Sequence, residues 1–155
     1  MRQPTKNKLN TLVSVVKKRK KKRVFQKSKN ASELDGSGLE AYFRINFLDK
    51  LGLNYDQQFK ANDIGRFYDF HLKDKNNNSL MILLEIDGTF FHSDPRFYNK
   101  ILTSSQKRNK RIDKIKDRWA LDNGYLLLRF LEYDIKNNPK LILDVLSEHI
   151  KKILC

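Results

Sequence analysis

Residues 80 to 88 read Leu80-Met81-Ile82-Leu83-Leu84-Glu85-Ile86-Asp87-Gly88, and the rest of the fold is predicted outward from this stretch. The apolar run up to Ile86 does not alternate with polar residues, which is typical of a central strand buried on both faces. Glu85 and Asp87 stand two residues apart, so both carboxylates project from one face of that strand. Two buried carboxylates are costly and repel each other, and a hard cation such as Mg²⁺ or Mn²⁺ would balance them. The alternative is that both lie at an exposed strand end, paired with Lys or Arg.

The segments on either side of this strand predict an α/β sandwich. Their order is helix, three strands, helix, strand and helix, which indicates a mixed sheet of about four strands flanked by helices. The predicted elements are a helix from Leu39 to Leu51 closed by Gly52, strands Tyr55 to Lys60 and Arg66 to Leu72 around a turn at Asp63-Ile64-Gly65, a polar loop from Lys73 to Ser79, a basic helix from about Ser105 to Asn123, a strand from Tyr125 to Phe130 and a last helix opened by Pro139.

Two further polar residues could join the acidic pair. Asp69 interrupts the preceding strand in Phe67-Tyr68-Asp69-Phe70, and it converges on Glu85 and Asp87 if the two strands are neighbours. Asp69, Glu85 and Asp87 would then form a metal site, whose commonest use beside a basic surface is phosphodiester hydrolysis. His92 follows Gly88 by four residues and is a candidate proton carrier or metal ligand, although a lone histidine is more often structural.

Glu40 has two interpretations. Ser37-Gly38-Leu39-Glu40 matches the S-x-x-E capping box, in which the glutamate only closes the start of the helix. The functional interpretation makes it a further acid of the site. Position along the chain does not separate the two.

Positive charge is concentrated at the N-terminus. The formal net charge is +14, and residues 1 to 30 hold 12 of the 32 Lys and Arg and no acid. We therefore predict a basic arm at 1–36, partly helical around Leu9 to Val16, ahead of a domain at 37–155. A polyanion is the natural partner of such an arm, and a solubilising tail is the alternative. The residues predicted to contact DNA in the arm are Lys17, Lys18, Arg19, Lys20, Lys21, Lys22 and Arg23.

The predicted basic helix could track phosphates along one face. Asp113 and Asp117 interrupt its positive charge, and either Asp113 or Lys116 could turn toward the site; a solvated basic face is the alternative. The residues predicted to contact DNA here are Lys107, Arg108, Lys110, Arg111, Lys114 and Lys116.

Composition excludes several classes of protein. No stretch has the roughly 18 to 20 apolar residues that a membrane span needs, and the charged N-terminus has no apolar signal-peptide core. Cys155 is the single cysteine, so no intrachain disulfide and no multi-cysteine zinc site can form. We expect an intracellular, reducing compartment.

Three stretches of the chain, in this order, together resemble a known group. They are Phe67-Tyr68-Asp69-Phe70; then Leu84-Glu85-Ile86-Asp87-Gly88 with His92; then Asp113 and the pair Gly124-Tyr125 before Leu128-Arg129-Phe130. It is similar to the very-short-patch-repair (Vsr)-like branch of the PD-(D/E)XK nucleases, and within it to phage-type homing endonucleases with an E-D-x-H-D signature. The resemblance covers roughly residues 37 to 150. It implies a restriction-endonuclease-like core and a phage or mobile-element origin.

The resemblance also implies roles for single residues. Glu40 would be the acid of the first helix, Asp69 the principal metal-binding aspartate, and Asp113 the acid on the helix before the last core strand. Asp87 stands where the repair enzymes carry a histidine, and His92 matches the histidine that follows the glycine. Glu85 would be an additional acid, as in the wider PD-(D/E)XK pattern.

The chain departs from the family pattern at three points. A lysine would normally follow Glu85 by two residues, but that position holds Asp87, which favours His92 for proton transfer. The cysteines of the repair enzymes' structural zinc are absent from the sequence. The aromatic wedge of those enzymes is not assignable, with Phe90, Phe91 and Phe97 as candidates, so mismatch repair is disfavoured.

The predicted function is therefore a metal-dependent DNA endonuclease that uses Mg²⁺ or Mn²⁺, as a sequence-directed homing or nicking enzyme. A domain of this size has little surface for a long target, so we expect a homodimer, the arm or a partner protein to add specificity. The alternatives are a nuclease selective for DNA junctions or nicks, a non-catalytic DNA-binding module and an RNA-directed nuclease.

Overall fold

Helices cover both faces of a four-stranded mixed sheet, which confirms the predicted α/β class. The computed structural model describes residues 38–89, 94, 96–97 and 103–154. The predicted arm, Ser37, Phe90, Phe91 and His92 therefore lie outside the described residues. The elements are α1 (Gly38–Phe43) continued by a π-helical segment (Arg44–Leu48), β1 (Asn54–Ala61), β2 (Arg66–Lys73), β3 (Ser79–Asp87), α2 (Ser104–Asp122), β4 (Leu126–Leu131), α3 (Glu132–Asn137) and α4 (Pro139–Leu154).

The strands stand in chain order, β1-β2-β3-β4, and β3 is an inner strand as predicted. The first three strands form an antiparallel meander, and β4 pairs with β3 in parallel. A parallel pair needs a crossover, and α2 provides it. Apart from exposed Met81, the residues of β3 from Leu80 to Asp87 are buried, so the strand carries its two acids into the interior.

The two faces of the sheet pack against different helices. On one face Phe43 packs against the rings of Phe47, Phe70 and Phe130, and α4 adds Ile142, Leu146 and Ile150 to the same core. On the other face Ala120 and Trp119 of α2 pack with Tyr68 and Leu83. The second, smaller core fixes α2 over the strands that carry Asp69 and Glu85.

Local sequence signals set the ends of α2. The Thr103 side chain accepts from the backbone N–H of Gln106, and the Gln106 side chain accepts from that of Thr103, which forms a capping box. The helix ends before Gly124, whose φ of +75° suits glycine. The observed bounds differ from the predicted ones by one residue. Within the described part of the chain, no helix is both long enough and apolar enough to span a membrane.

The first helix differs from the prediction in its second half. Residues Arg44–Leu48 form a π-helical segment rather than a continued α-helix. The wider turn accompanies the burial of two consecutive side chains, Phe47 and Leu48. Tyr42, although aromatic, is 39% exposed on this helix. The short helix α3 was not predicted, because six residues give too little periodicity to recognise.

Candidate active site

A polar pocket of about 240 Å³ opens between α1, α2 and the adjoining ends of β2 and β3. It brings together four of the six predicted catalytic residues. Asp87 is not among the lining side chains, and His92 lies outside the described residues. The lining residues are Glu40, Asp69, Glu85, Ile86, Asn109, Ile112, Asp113 and Lys116.

Asp69 is a half-buried carboxylate that lines the pocket. The regular pairing of β2 with β3 ends, on this side, at Phe70 and Leu84. Next to this pair, the Asp69 carboxylate accepts a hydrogen bond of 2.7 Å from the backbone N–H of Ile86. No Lys or Arg among the described residues forms an ion pair with Asp69. Burial, helped by the charge of Glu40, raises the pKa of Asp69 to about 6. At neutral pH this half-buried carboxylate therefore carries a negative charge that no ion pair among the described residues neutralises.

Glu85 is held by a lysine from α2. Lys116 Nζ lies 2.5 Å from Glu85 Oε1, and both side chains are buried. The Tyr68 hydroxyl donates to the Lys116 carbonyl at 2.7 Å, and the Tyr68 ring centroid lies 4.9 Å from Nζ, so β2 sets the position of this turn of α2. Burial and the neighbouring Asp69 raise the pKa of Glu85 to about 7, although Lys116 opposes the shift. Lys116 therefore lies in the pocket, whereas Lys107 and Lys114, which were predicted with it to contact DNA, are exposed.

Glu40 faces the pocket from the first turn of α1. Its Oε2 accepts from Gln58 Nε2 at 3.0 Å. Gln58 has a φ of +51° and stands between the registered pairs Gln57–Phe70 and Phe59–Tyr68, opposite Asp69. A non-glycine residue in this region is held by its surroundings, and such strain concentrates at functional sites. The geometry supports the functional interpretation of Glu40, while the capping alternative depends on Ser37, outside the described residues.

Asp87 forms an ion pair with Arg129 of β4. The Arg129 Nη1 atom lies 3.4 and 3.5 Å from the two carboxylate oxygens of Asp87, which is 4% exposed. Among the described residues, no group of three or more His, Cys, Asp or Glu side chains is arranged to hold a metal ion. The predicted ligand set of Asp69, Glu85 and Asp87 is therefore not assembled here, because the parallel register brings Arg129 to that part of the strand.

Carboxylate oxygens nevertheless line the pocket around Asp69, and such oxygens are the ligands that Mg²⁺ and Mn²⁺ prefer. Asp69 is half-buried and has no ion-pair partner among the described residues. Glu40 and Glu85 line the same pocket, and Glu85 is paired with Lys116.

The outer side of α2 carries exposed positive charge. Lys107, Arg108, Arg111 and Lys114 are exposed and Lys110 is half-buried, as a phosphate-contacting face requires. Asp113 lines the pocket, whereas Asp117 accepts from Arg129. The helix thus presents charge to solvent along one side and site residues along the other.

Replacing Asp69 by Asn is expected to stabilise the metal-free protein above pH 7 and to change its stability little below pH 4. The folded-state pKa of about 6 exceeds the ordinary 3.8, so the folded chain binds the proton more tightly and the free energy of unfolding falls as pH rises through this window. Asn carries no charge and escapes this loss, which amounts to about 2 to 3 kcal/mol at pH 8. Urea unfolding in EDTA at pH 4, 6 and 8 measures the difference. Equal stability of the two proteins at pH 8 would contradict the assignment.

Three residues were not singled out in the sequence: Arg129 and Gln58, which contact acids of the site, and Asn109, which lines the pocket. An arginine within the strand Leu126–Leu131 is as unusual as an acid in β3, and that signal could have singled out Arg129. Gln58 carried no such signal, because its role depends on backbone conformation and on the distant Glu40.

The candidate site thus combines four acids, Lys116 and a helix with exposed positive charge. The arrangement is specific in its contacts, with a buried Glu85–Lys116 ion pair next to an acid that has no ion-pair partner among the described residues. In comparisons with protein-family models, curated proteins and solved structures, nothing matches this chain.

Proposed function

We propose that the chain is a metal-dependent DNA endonuclease that hydrolyses phosphodiester bonds with Mg²⁺ or Mn²⁺. The observation that supports this most is half-buried Asp69, which has no ion-pair partner among the described residues, beside the Glu85–Lys116 pair in an open pocket. The order helix, three strands, helix and strand is compatible with a restriction-endonuclease-like core, which we propose for the fold.

Asp69 is the proposed central ligand, assisted by Glu40 and Glu85. A divalent ion bound there would polarise the phosphoryl group and lower the pKa of a coordinated water. The Ile86 N–H fixes one oxygen of Asp69, and the Gln58 amide holds Glu40, so both carboxylates are oriented before substrate arrives.

Lys116 is the proposed source of positive charge at the scissile phosphate. In the sequence pattern, Asp87 occupies the position expected for a lysine, but the ammonium that reaches Glu85 comes from α2. Anchored through its carbonyl to Tyr68, Lys116 can donate to a phosphate oxygen or to the attacking water. Proton transfer by His92 remains a prediction.

DNA is the proposed substrate because α2, which contributes residues to the pocket, also carries a face of exposed positive charge. Exposed Lys107, Arg108, Arg111 and Lys114 would contact the phosphate backbone, which contributes affinity without sequence information. Sequence-directed homing or nicking, with specificity from the arm, a second copy or a partner protein, is the proposed biological form.

Incubation of the full chain with supercoiled plasmid in Mg²⁺, Mn²⁺ or EDTA tests the proposal. We expect nicked or linear plasmid in the presence of either ion and intact plasmid in EDTA, and the cut ends show whether one strand or both are broken. An RNA substrate in the same assay separates the RNA-directed alternative. Salt-sensitive DNA binding without cleavage of plasmid or genomic DNA would contradict the enzyme and favour a binding module.

A further inference from the structure

A second groove lies along α2, on a side of the helix other than the one that lines the candidate active site. Its volume is about 340 Å³, and no residue lines both cavities. The surface of its wall is mostly apolar, although three charged side chains contribute to it. The lining residues are Ile64, Lys114, Ile115, Arg118, Trp119 and Asp122.

Four cations run along the side of α2 that reaches this groove, and we call them the basic stripe. Lys107, Arg111, Lys114 and Arg118 follow one another by four, three and four residues, which is the spacing of a single helical face. All four side chains are exposed, and the last two line the groove. The basic stripe therefore continues directly into an apolar surface.

The basic stripe points away from the candidate active site. Asn109, Asp113 and Lys116, which line the pocket, each stand two residues after a member of the stripe. Two residues correspond to a rotation of about 200° around an α-helix, so the two sets project from opposite sides of α2. A nucleic-acid strand bound along the stripe is therefore a different strand or segment from the one in the pocket.

Trp119 gives the groove an aromatic wall. Its ring stacks on Tyr125, with the centroids 5.7 Å apart, and its Nε1 donates to Asp63 at 2.6 Å. Both contacts fix the orientation of the ring. Ile115, one helical turn earlier and 45% exposed, extends the apolar surface next to it. Because the indole N–H is already bonded within the protein, the ring offers apolar contact, which suits a base without reading its identity.

Single-stranded DNA has the two features that this surface fits, a row of phosphates and bases whose faces are open. In a duplex those faces are covered by stacking, so a duplex would use the stripe alone. Arg118 forms an ion pair with Asp122, but the two side chains are 75% and 50% exposed. Such a surface pair is weak, and the guanidinium is free to turn to a phosphate.

We propose that the groove and the basic stripe form a second nucleic-acid site, which binds single-stranded DNA apart from the strand in the candidate active site. The stripe contacts the phosphates, and Ile115 and Trp119 contact an unpaired base. The site binds whether or not the pocket cleaves DNA, because none of the groove residues lines the pocket.

Tryptophan fluorescence tests this proposal, because Trp119 is the single tryptophan of the sequence and lines the groove. Titration of the full chain in EDTA with a thymine oligonucleotide is expected to quench the emission saturably. A hairpin duplex of the same length is expected to leave it almost unchanged. Ile115→Glu should weaken the binding of the oligonucleotide about tenfold, since it removes apolar contact with the base and adds a repelling charge.

Leu121→Glu is the matched control, because it makes the same change of charge at an exposed position of α2 that does not line the groove. Its affinity for the oligonucleotide should stay within about twofold of the wild type. Equal quenching by oligonucleotide and duplex, or an equal loss in both glutamate variants, would overturn the inference. A blue shift with anionic lipid vesicles and no effect of the oligonucleotide would also overturn it, in favour of a membrane surface.

A second variant covers the case in which Ile115→Glu fails to fold by circular dichroism. Lys114→Gln changes an exposed side chain and should lower the slope of log affinity against log salt for the oligonucleotide by about 0.7. An unchanged slope would contradict the proposed phosphate contact. Plasmid cleavage without quenching would overturn the second site alone, whereas quenching without cleavage would overturn the nuclease alone.

Discussion

Asp69→Asn is expected to lower metal-dependent plasmid nicking by roughly a thousandfold. The substitution keeps the shape of the side chain, and the Asn oxygen can still accept the Ile86 N–H that now bonds to Asp69. It removes only the charge that a divalent ion would balance. Because the same change is expected to stabilise the metal-free fold at pH 8, loss of nicking would not be an effect of unfolding.

The matched control for this experiment is Asp144→Asn, which removes an exposed carboxylate from α4, away from the pocket. Nicking rates of wild type and Asp144→Asn should agree within about twofold, as expected for a surface change without partners in the site. Nicking by Asp69→Asn at the wild-type rate would show that Asp69 is not the central ligand. DNA binding measured on the same samples separates loss of chemistry from loss of affinity.

Lys116→Met is expected to reduce both stability and nicking. The change leaves Glu85 buried without the ammonium at 2.5 Å, and breaking a buried pair on one side costs about 3 kcal/mol. The loss should be largest at pH 8 and small at pH 5, because the Glu85 pKa of about 7 means that this carboxylate is protonated at the lower pH. Nicking should fall by about a hundredfold, the typical effect of removing an electrostatic donor.

Urea unfolding at pH 5 and pH 8 and the plasmid assay measure these effects. Lys151→Met is the matched control, since it removes an exposed lysine from α4, away from the pocket and from the basic face of α2. The double variant Glu85→Gln, Lys116→Met should recover much of the lost stability at pH 8, because no buried charge is left without its partner. A destabilisation of Lys116→Met that is equal at both pH values would show that packing, not the ion pair, is lost.

Most of the fold could be predicted because its signals are local. The apolar run of β3 identified an inner strand, Pro139 marked the start of α4, and Gly124 marked the end of α2. Each of these signals depends on the preference of a short stretch of sequence for one backbone conformation. The π-helical segment escaped prediction because it departs from the α-helical spacing of the apolar residues, and α3 because six residues show too little periodicity.

The site was predictable only in part, and Asp87 shows why. The alternation of side chains along a strand correctly predicted that Glu85 and Asp87 share a face. It could not predict which cation would pair with each carboxylate. The structure pairs Glu85 with Lys116 of α2 and Asp87 with Arg129 of β4. These partners come from other elements, and their approach depends on the parallel register and on how α2 crosses the sheet.

The amino-acid sequence by itself determined the element types, the inner position of β3 and the presence of acids where burial makes them costly, because hydrophobic periodicity and charge are properties of neighbouring residues. Only the tertiary structure decided which acids share a pocket and which are neutralised. It places Glu40, Asp69, Glu85 and Asp113 in one pocket with Lys116, and it pairs Asp87 with Arg129. The physical reason is that electrostatic partnership depends on distances of a few ångströms between elements, which register and helix packing set after the local structure has formed.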